Sequence, residues 1–507
     1  MNDKNETNHM TSYWIESVES TLFPQINEDM AVDTVIVGAG ITGITLAFLL
    51  VEEGQKVALI DANRIMNGTT GHTTAKITSQ HHIIYDKLIE QLGIEKAEQY
   101  YQANHAAEQF INHIIETHRI DCDYSIQDAY IYTNSESYIE QIEREYKAYE
   151  KLSIDGELTN LSTLPFASKL AIVMKNQAQF HPLKYLNKLV EKLEKSGGAI
   201  LENTIAVDLE TGDRPSVILK NGKKISGSQV VLASHFPFVD WKGIYFARLY
   251  AERSYVVAAK VKEKPFNGMY ISAESPTRSI RFTPLSKGEQ LLLVGGESHK
   301  TGQGKSTSYY YQALSQFANE YFHIEDFSYH WSAQDLKTLD SVPYIGNITS
   351  GEENIYVATG YAKWGMTNGT AGAMLLRDRI LNRRNDWQDL FNPSRAISGS
   401  AVKSFIVQNA NVAKNLVSGK LGIIEKTAED LLINEGAHIN VNGKIAGGYK
   451  DEAGVVHIVD TTCTHLGCEV NWNSGDLSWD CPCHGSRFSY TGEVLEGPAK
   501  CPLKKIK

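Results

Sequence analysis

At 507 residues the chain is too long for one ordinary domain, and 42% apolar against 21% charged residues is the balance of a globular protein with substantial cores to bury. A formal net charge of −11 excludes wrapping a phosphate backbone, so nucleic acid is not an expected partner. The first apolar run, Val32 to Val51, holds Asp33 and a glycine pattern; no secretory signal or transmembrane span is read, and a cytoplasmic address is expected.

Asp33-Thr-Val-Ile-Val-Gly38 is a β-branched run ending in glycine, which predicts a buried parallel strand. Ile41 to Glu53 has helical spacing, and Lys56-Val-Ala-Leu-Ile-Asp61 predicts a second strand, completing a βαβ unit. At its first turn stands Gly38-Ala39-Gly40-Ile41-Thr42-Gly43. The first glycine permits the turn, the second lets backbone approach a pyrophosphate, and the third lets helix and strand pack closely. The helix N-terminus offers free N–H groups to phosphates, and Asp61 is placed to accept ribose hydroxyls. FAD and NAD share this fingerprint. Further along, helical patterning runs from Tyr85 to Arg119, and strand-like stretches occur at Ala171–Lys175, Gln229–Ala233, Gln290–Val294 and Ile355–Thr359, the last leading into a helical pattern over Gly369–Leu381. The expected fold is an α/β Rossmann-type nucleotide-binding domain with an α+β substrate domain inserted in pieces.

The stretch from Ser12-Tyr-Trp through Asn67-Gly-Thr-Thr70-Gly-His72-Thr-Thr-Ala resembles the D-amino-acid oxidase/glycine oxidase superfamily of flavoenzymes. Asp340-Ser-Val-Pro-Tyr-Ile-Gly346 and Ala358-Thr-Gly360-Tyr-Ala-Lys363-Trp-Gly365-Met366-Thr367-Asn-Gly369 are similar to its second flavin motif. The resemblance spans roughly residues 12–392 and implies FAD, with hydride passing from the carbon of a C–N bond to the flavin. A glycine-rich turn into a helix N-terminus suits the negative charge of reduced flavin, and Lys363 either adds charge there or is a surface lysine. His72 is either a hydrogen-bonding loop residue or, as in some relatives, a point of covalent attachment. Arg253, Arg278 and Arg281 are candidates to clamp a substrate carboxylate, with ion-pair roles as the alternative.

Asn392-Pro393-Ser394-Arg395 ends this body. Between Ala401 and Leu421 the residues Val402, Phe405, Ile406, Val412, Ala413, Leu416 and Val417 share a helical face, with Lys403, Lys414, Lys420 and no acid. This is either a connector helix packed on the body or a helix lying on an anionic membrane surface. Beyond Ile424, short strands and turns such as Val441-Asn442-Gly443-Lys444 predict a small all-β domain. The expected divisions are an N-terminal segment 1–30, the body 31–392, a connector helix 393–424 and the β-domain 425–507.

Five of the six cysteines fall between Cys463 and Cys501, a clustering that reads as a metal site. Cys463-Thr-His465-Leu-Gly-Cys468 and Cys481-Pro-Cys483-His484-Gly-Ser486 form two short loops, each offering one thiolate and one imidazole. Two cysteines on one iron and two histidines on the other make a Rieske-type [2Fe–2S] centre. Tetrahedral zinc is the alternative, but it does not require Cys468, Cys483 or Gly485-Ser486. Residues 425–507 resemble the Rieske family, and in the matching subgroup the two additional cysteines are bonded, which implies Cys468–Cys483. Gly497-Pro498-Ala499 resembles that subgroup's proline loop, Ser486 is expected to donate to cluster sulfide, and Cys122 and Cys501 remain as structural thiols. Phe488 stands where high-potential members carry tyrosine, so the expected potential is below theirs.

The combined reading is a dehydrogenase. A small amine or amino acid reduces FAD, and the cluster passes electrons singly to an external acceptor, a redox protein or quinone. An oxygenase reductase component fed by NAD(P)H and a non-catalytic redox sensor are the rival readings; the first lacks a second glycine fingerprint.

Overall fold

The computed structural model describes residues 11–161, 163–285, 288–396, 399–418 and 424–506; Met1–Met10, Lys420, Leu421 and Lys507 lie outside them. The β-branched run forms the strand Thr34–Val37, every residue of which is buried. It sits within a six-stranded sheet ordered Tyr344–Asn347, Ile355–Thr359, Gln229–Leu232, Thr34–Val37, Val57–Ile60, Ala199–Leu201. All neighbours are parallel except the first pair. The helix Ile41–Glu52 is buried from Ile41 to Val51, because the sheet covers one side and the helices Pro182–Lys195 and Gly365–Ile380 cover the other. A helix apolar all round is one buried all round.

The long helical stretch divides. Tyr85–Leu92 and Ile94–His118 are separate helices, and Gly93 between them has φ of +87°, a conformation open to glycine but strained for other residues.

A nine-stranded sheet forms the second layer, with the path Ile324–Thr338, Leu249–Val261, Gln290–Lys300, Arg278–Pro284, Met269–Ser272, Ser125–Thr133, Leu170–Gln179, Lys76–Ile77, and Gly156–Thr159 off this path. Its strands come from several stretches of chain that lie between strands of the parallel sheet. The inserted layer therefore cannot separate from the first, and the space between the two is built by both.

The helix Gly399–Ser418 docks by a different face from the one its apolar spacing predicts. Ala401 is buried, Asn409 donates to the Ala247 carbonyl (3.0 Å), Asn411 meets Gln303 (2.8 Å) and Val412 packs on the C-terminal domain. Phe405, Ile406 and Val417 stay 38%, 62% and 64% exposed. Of the expected apolar stripe, Val412 is the member placed against a core, because side-chain amides rather than that stripe make the attachment.

The C-terminal domain has two sheets: Gly436–Val441, Lys444–Lys450, Val456–Val459, and Asn471–Asn473, Ser478–Asp480, Arg487–Ser489, Val494–Glu496. Asn442 (φ +54°) and Gly443 (φ +80°) make the tight hairpin turn that an Asn-Gly pair favours. Trp479 and Phe488 are fully buried in its core.

This domain is fastened to the body through charge. Arg253 of the body pairs with Asp476 (2.8 Å), which also accepts from Ser332 (2.7 Å), from Tyr311 (3.1 Å) and from Arg487 (3.0 Å); Arg487 further pairs with Asp480 and Glu496. Gln334 donates to the Gly485 carbonyl (3.0 Å) and Gln303 to that of Pro482 (2.9 Å). A Cβ on Gly302 would stand 2.6 Å from the Pro482 nitrogen, so the two backbones are in direct contact there.

Removing one partner from a buried pair leaves a charge without compensation and costs about 3–5 kcal/mol. Asp476→Ala is therefore expected to lower stability to urea by that amount and to raise protease cleavage between body and tail; Asp476→Asn, which keeps hydrogen bonds, should lose less. Burial alone would raise the Asp476 carboxyl, but Arg253 and Arg487 outweigh it and hold it well below the carboxylate range. A depressed folded value stabilises above the unfolded value of about 3.9 and is lost on acidification. The seam should thus loosen only below about pH 4, read by the same protease assay.

Candidate active site and metal centre

A cavity of about 980 Å³ lies between the two sheets. One end is the glycine turn. Gly38 has φ of +107°, and a Cβ there would sit 2.4 Å from the Ala233 oxygen; one on Gly43 would sit 1.9 Å from the Gly38 oxygen. Side chains are excluded at both positions, which lets the backbone of the turn come up to the cavity and the helix pack closely behind it. Asp61 accepts from the N–H of Ala39 (2.9 Å) and of Asn63 (2.9 Å), one at each oxygen, while burial pushes its carboxyl up. Asp61 lines the cavity, and each of its oxygens keeps capacity for a further hydrogen bond.

Two further segments are tied to this turn. Thr70 Oγ1 accepts from the Ile41 N–H (3.0 Å), and Thr42 bonds the Tyr361 hydroxyl (3.0 Å). Gly365 opens the helix Gly365–Ile380, and with Met366 it lines the cavity at that helix's N-terminus. The sequence-predicted residues Gly38, Gly40, Ile41, Thr42, Asp61, Thr70, Gly365 and Met366 thus come together on one cavity, whereas Gly43, Gly360 and Thr367 stand behind its wall. Thr367 is held there by the Thr78 carbonyl (3.0 Å) and His81 (3.0 Å).

The candidate charged residues are mostly occupied. Lys363 lines the cavity but pairs with buried Asp335 (2.8 Å). Arg253 also lines it, with its charge met by Asp476, and Arg278 pairs with Glu297. Arg281 lies outside the lining and donates to the carbonyls of Thr74 (2.6 Å) and Phe282 and to Gln179 (2.9 Å), so it braces the loop rather than meeting the cavity. His72 lines the cavity with Nδ1 2.9 Å from the Gly68 oxygen, and burial lowers its pKa, keeping the ring neutral. Lys76, which sequence reasoning passed over, also lines it. Its Nζ donates to Ser279 (2.7 Å) and the Tyr270 carbonyl (3.3 Å), and burial, with Arg281 nearby, pushes it down to about 7. Its place directly after the Thr69–His72 turn was the available signal.

The C-terminal domain closes the same cavity with Glu493–Lys500 and Pro502. Beside this wall are the two cysteine–histidine loops, each closed by its own backbone: Cys463 N–H to the Cys468 oxygen (2.7 Å), and Cys481 N–H to that of Ser486 (2.8 Å). A Cys468–Cys483 disulfide joins them. Cys463 and Cys481 are buried free thiols. His465 Nδ1 and His484 Nδ1 are buried with no hydrogen-bond partner among the described residues, and the rings stand perpendicular, 5.0 Å apart. Sharing a hydrogen bond with Cys481 lowers Cys463 to about 6 and raises Cys481, and burial pushes His484 down to about 4, leaving a neutral imidazole. Two close sulfurs and two orphaned imidazole nitrogens in paired loops fit a histidine-ligated iron–sulfur cluster.

The opposite ring nitrogen, His465 Nε2, meets Asp240 of the body (2.8 Å), and Phe246 packs edge-on against the His484 ring (5.8 Å). Neither contact was legible in the sequence. Ser486 is fully buried, accepts from the Ala499 N–H (3.0 Å) and bonds Cys463. Cys122 is buried and Cys501 exposed.

A family model described as FAD dependent oxidoreductase matches residues 33–379. The chain belongs to that family. A Rieske [2Fe-2S] domain model matches residues 426–507, so this FAD dependent oxidoreductase carries both FAD and a [2Fe–2S] cluster. It is 48% identical to the putative Rieske 2Fe-2S iron-sulfur protein YhfW of Bacillus subtilis over 98% of this chain and 97% of that one. A short tail region is 46% identical to the cytochrome b6-f complex iron-sulfur subunit of Chlorobaculum thiosulfatiphilum, covering 11% of this chain and 32% of that protein. Glycine oxidase from Geobacillus kaustophilus shares the fold, with a TM-score of 0.61 and 16% identity over 73% of this chain and all of that one. Among the described residues no helix is long and apolar enough to cross a membrane.

Cys481→Ser is expected to abolish iron and acid-labile sulfide while leaving the flavin absorbance. Phe488→Tyr, which adds a phenolic donor to the cluster's surroundings, should raise the midpoint potential, starting from a value below the top of the Rieske range of about +300 mV. Redox titration followed by EPR reads both.

Proposed function

We propose that this protein is a dehydrogenase that oxidises a small amine or amino acid at its C–N bond and delivers the electrons singly, through the Rieske cluster, to an external redox protein or quinone. FAD supplies hydride acceptance and one-electron release when bound. The observation that carries the reading is the shared cavity, whose wall includes both the glycine turn and the Rieske segment Glu493–Lys500.

The chain's own residues have distinct tasks in this scheme. Gly38, Gly40, Ile41, Thr42 and the helix behind them receive the FAD pyrophosphate, Asp61 the ribose, and the Gly365–Met366 helix N-terminus the ring's negative edge. Cys463 and Cys481 hold one iron, His465 and His484 the other, with Ser486 donating beside them. Gln334 spans the distance between the two sites: its carbonyl accepts from Thr69 (3.3 Å) in the cavity loop, and its amide donates to Gly485, next to His484. The fold shared with glycine oxidase supports an amine substrate. The exposed Phe405, Ile406 and Val417, on a helix with Lys403 and Lys414 and no acid, fit contact with an anionic membrane surface where a quinone would be met.

Anaerobic titration with amines and amino acids is the test. Loss of visible flavin absorbance should be followed by the EPR signal of the reduced cluster. Bleaching without cluster reduction overturns the electron-transfer half, and rapid reduction by NAD(P)H alone would favour an oxygenase reductase.

A further inference from the structure

Buried cations need a counter-charge, and in this cavity most of them have one. Arg253 and Arg487 meet Asp476, and Lys363 meets Asp335. Lys76 does not. It lies on the short strand Lys76–Ile77 that ends the nine-stranded sheet, with its side chain against Met269–Ser272 and Arg278–Pro284. Its contacts are a hydroxyl and a carbonyl, and no described carboxylate pairs with it. An ammonium carries three donors, so one remains for the cavity. Near it stands Arg281, fully buried where Lys76 is partly so, and likewise without an acid partner among the described residues. Two neighbouring cations with no described anion are costly in a low-dielectric wall unless something brings negative charge.

We infer that Lys76 is the anchor for the carboxylate of a carboxylate-bearing amine substrate, an inference that rests on the amine-dehydrogenase reading and narrows it to amino acids. Three observations support it. The residue lines the cavity next to polar Thr277 and Ser279, which can complete a carboxylate's hydrogen bonds, and near apolar Val256, Ile271 and Trp331, which offer room for a side chain. Of the three arginines that were candidates to clamp a carboxylate, Arg253 is already matched by Asp476 of the Rieske domain, Arg278 by Glu297, and Arg281 lies outside the cavity lining. Burial holds the lysine near the point of losing its proton, so an arriving carboxylate restores the charge and is itself held by it.

The test uses the full FAD-loaded protein and a carboxylate that cannot be oxidised at a C–N bond. Acetate and propionate should perturb the visible flavin spectrum saturably, and acetamide should not. Lys76→Met should weaken acetate binding about ten-fold or more, the equivalent of one charge-assisted hydrogen bond, and Lys76→Arg should retain it. Wild-type protein that binds acetate and acetamide alike, or neither, overturns the inference. So does a Lys76→Met protein that binds acetate normally, whether or not its flavin properties change. Should Lys76→Met fold without flavin, Lys76→Gln, which keeps a donor to Ser279, carries the same comparison. Failure of the parent reading looks different: acetate binding would remain dependent on Lys76 while no amine or amino acid bleaches the flavin.

Discussion

The pairing of Arg253 with Asp476, and of Asp476 with Arg487, is the contact on which the arrangement of the two halves depends. Arg253 projects from an interior strand of the body's large sheet, Asp476 from the turn between Asn471–Asn473 and Ser478–Asp480, and Arg487 from the strand Arg487–Ser489 of the Rieske domain. None of the three side chains is more than 12% exposed, so each charge requires the others. Such a seam is specific: sliding the domain would strand at least one ion. It also brings the segment Glu493–Lys500 over the flavin cavity, which makes the tail part of the active-site wall rather than an appendage.

The same seam governs the electrostatics within. An arginine facing a substrate cavity ordinarily offers its charge to the substrate; here Asp476 has taken it. Asp335 does the same for Lys363. Lys76, on the strand that ends the large sheet, meets a hydroxyl and a carbonyl and pairs with no carboxylate among the described residues. On the cluster side, His465 turns its outer nitrogen to Asp240, and Phe246 covers the neighbouring imidazole. The histidine edge of the Rieske domain is thereby turned toward the body, which places both redox sites within one packed unit.

Local order in the chain made much of this legible. The glycine turn, the buried strand before it and the acid closing the next strand form one continuous segment, and each residue's task follows from backbone sterics alone. The cysteine–histidine loops are equally self-contained, since each closes on itself within a few residues. Periodicity served less well for helices. It joined Tyr85 to Arg119 across Gly93, whose positive φ ends one helix and begins another. It left the connector's apolar stripe open between packing on the body and lying on a membrane surface; Asn409 and Asn411 do the docking, and most of the stripe stays exposed.

By itself, then, the sequence determined the two cofactor-binding motifs, the α/β body with its interleaved second layer, and the small β-domain behind it. These rest on short-range rules: turn geometry, alternation and ligand spacing. The tertiary structure alone decided that Lys363 and Arg253 are neutralised, that Lys76 is met by no carboxylate among the described residues, and that Asp240, Phe246 and Gln334 stand at the join. Those facts concern pairs up to hundreds of residues apart, and a charge's role depends on what lies within a few ångströms of it once water has been removed.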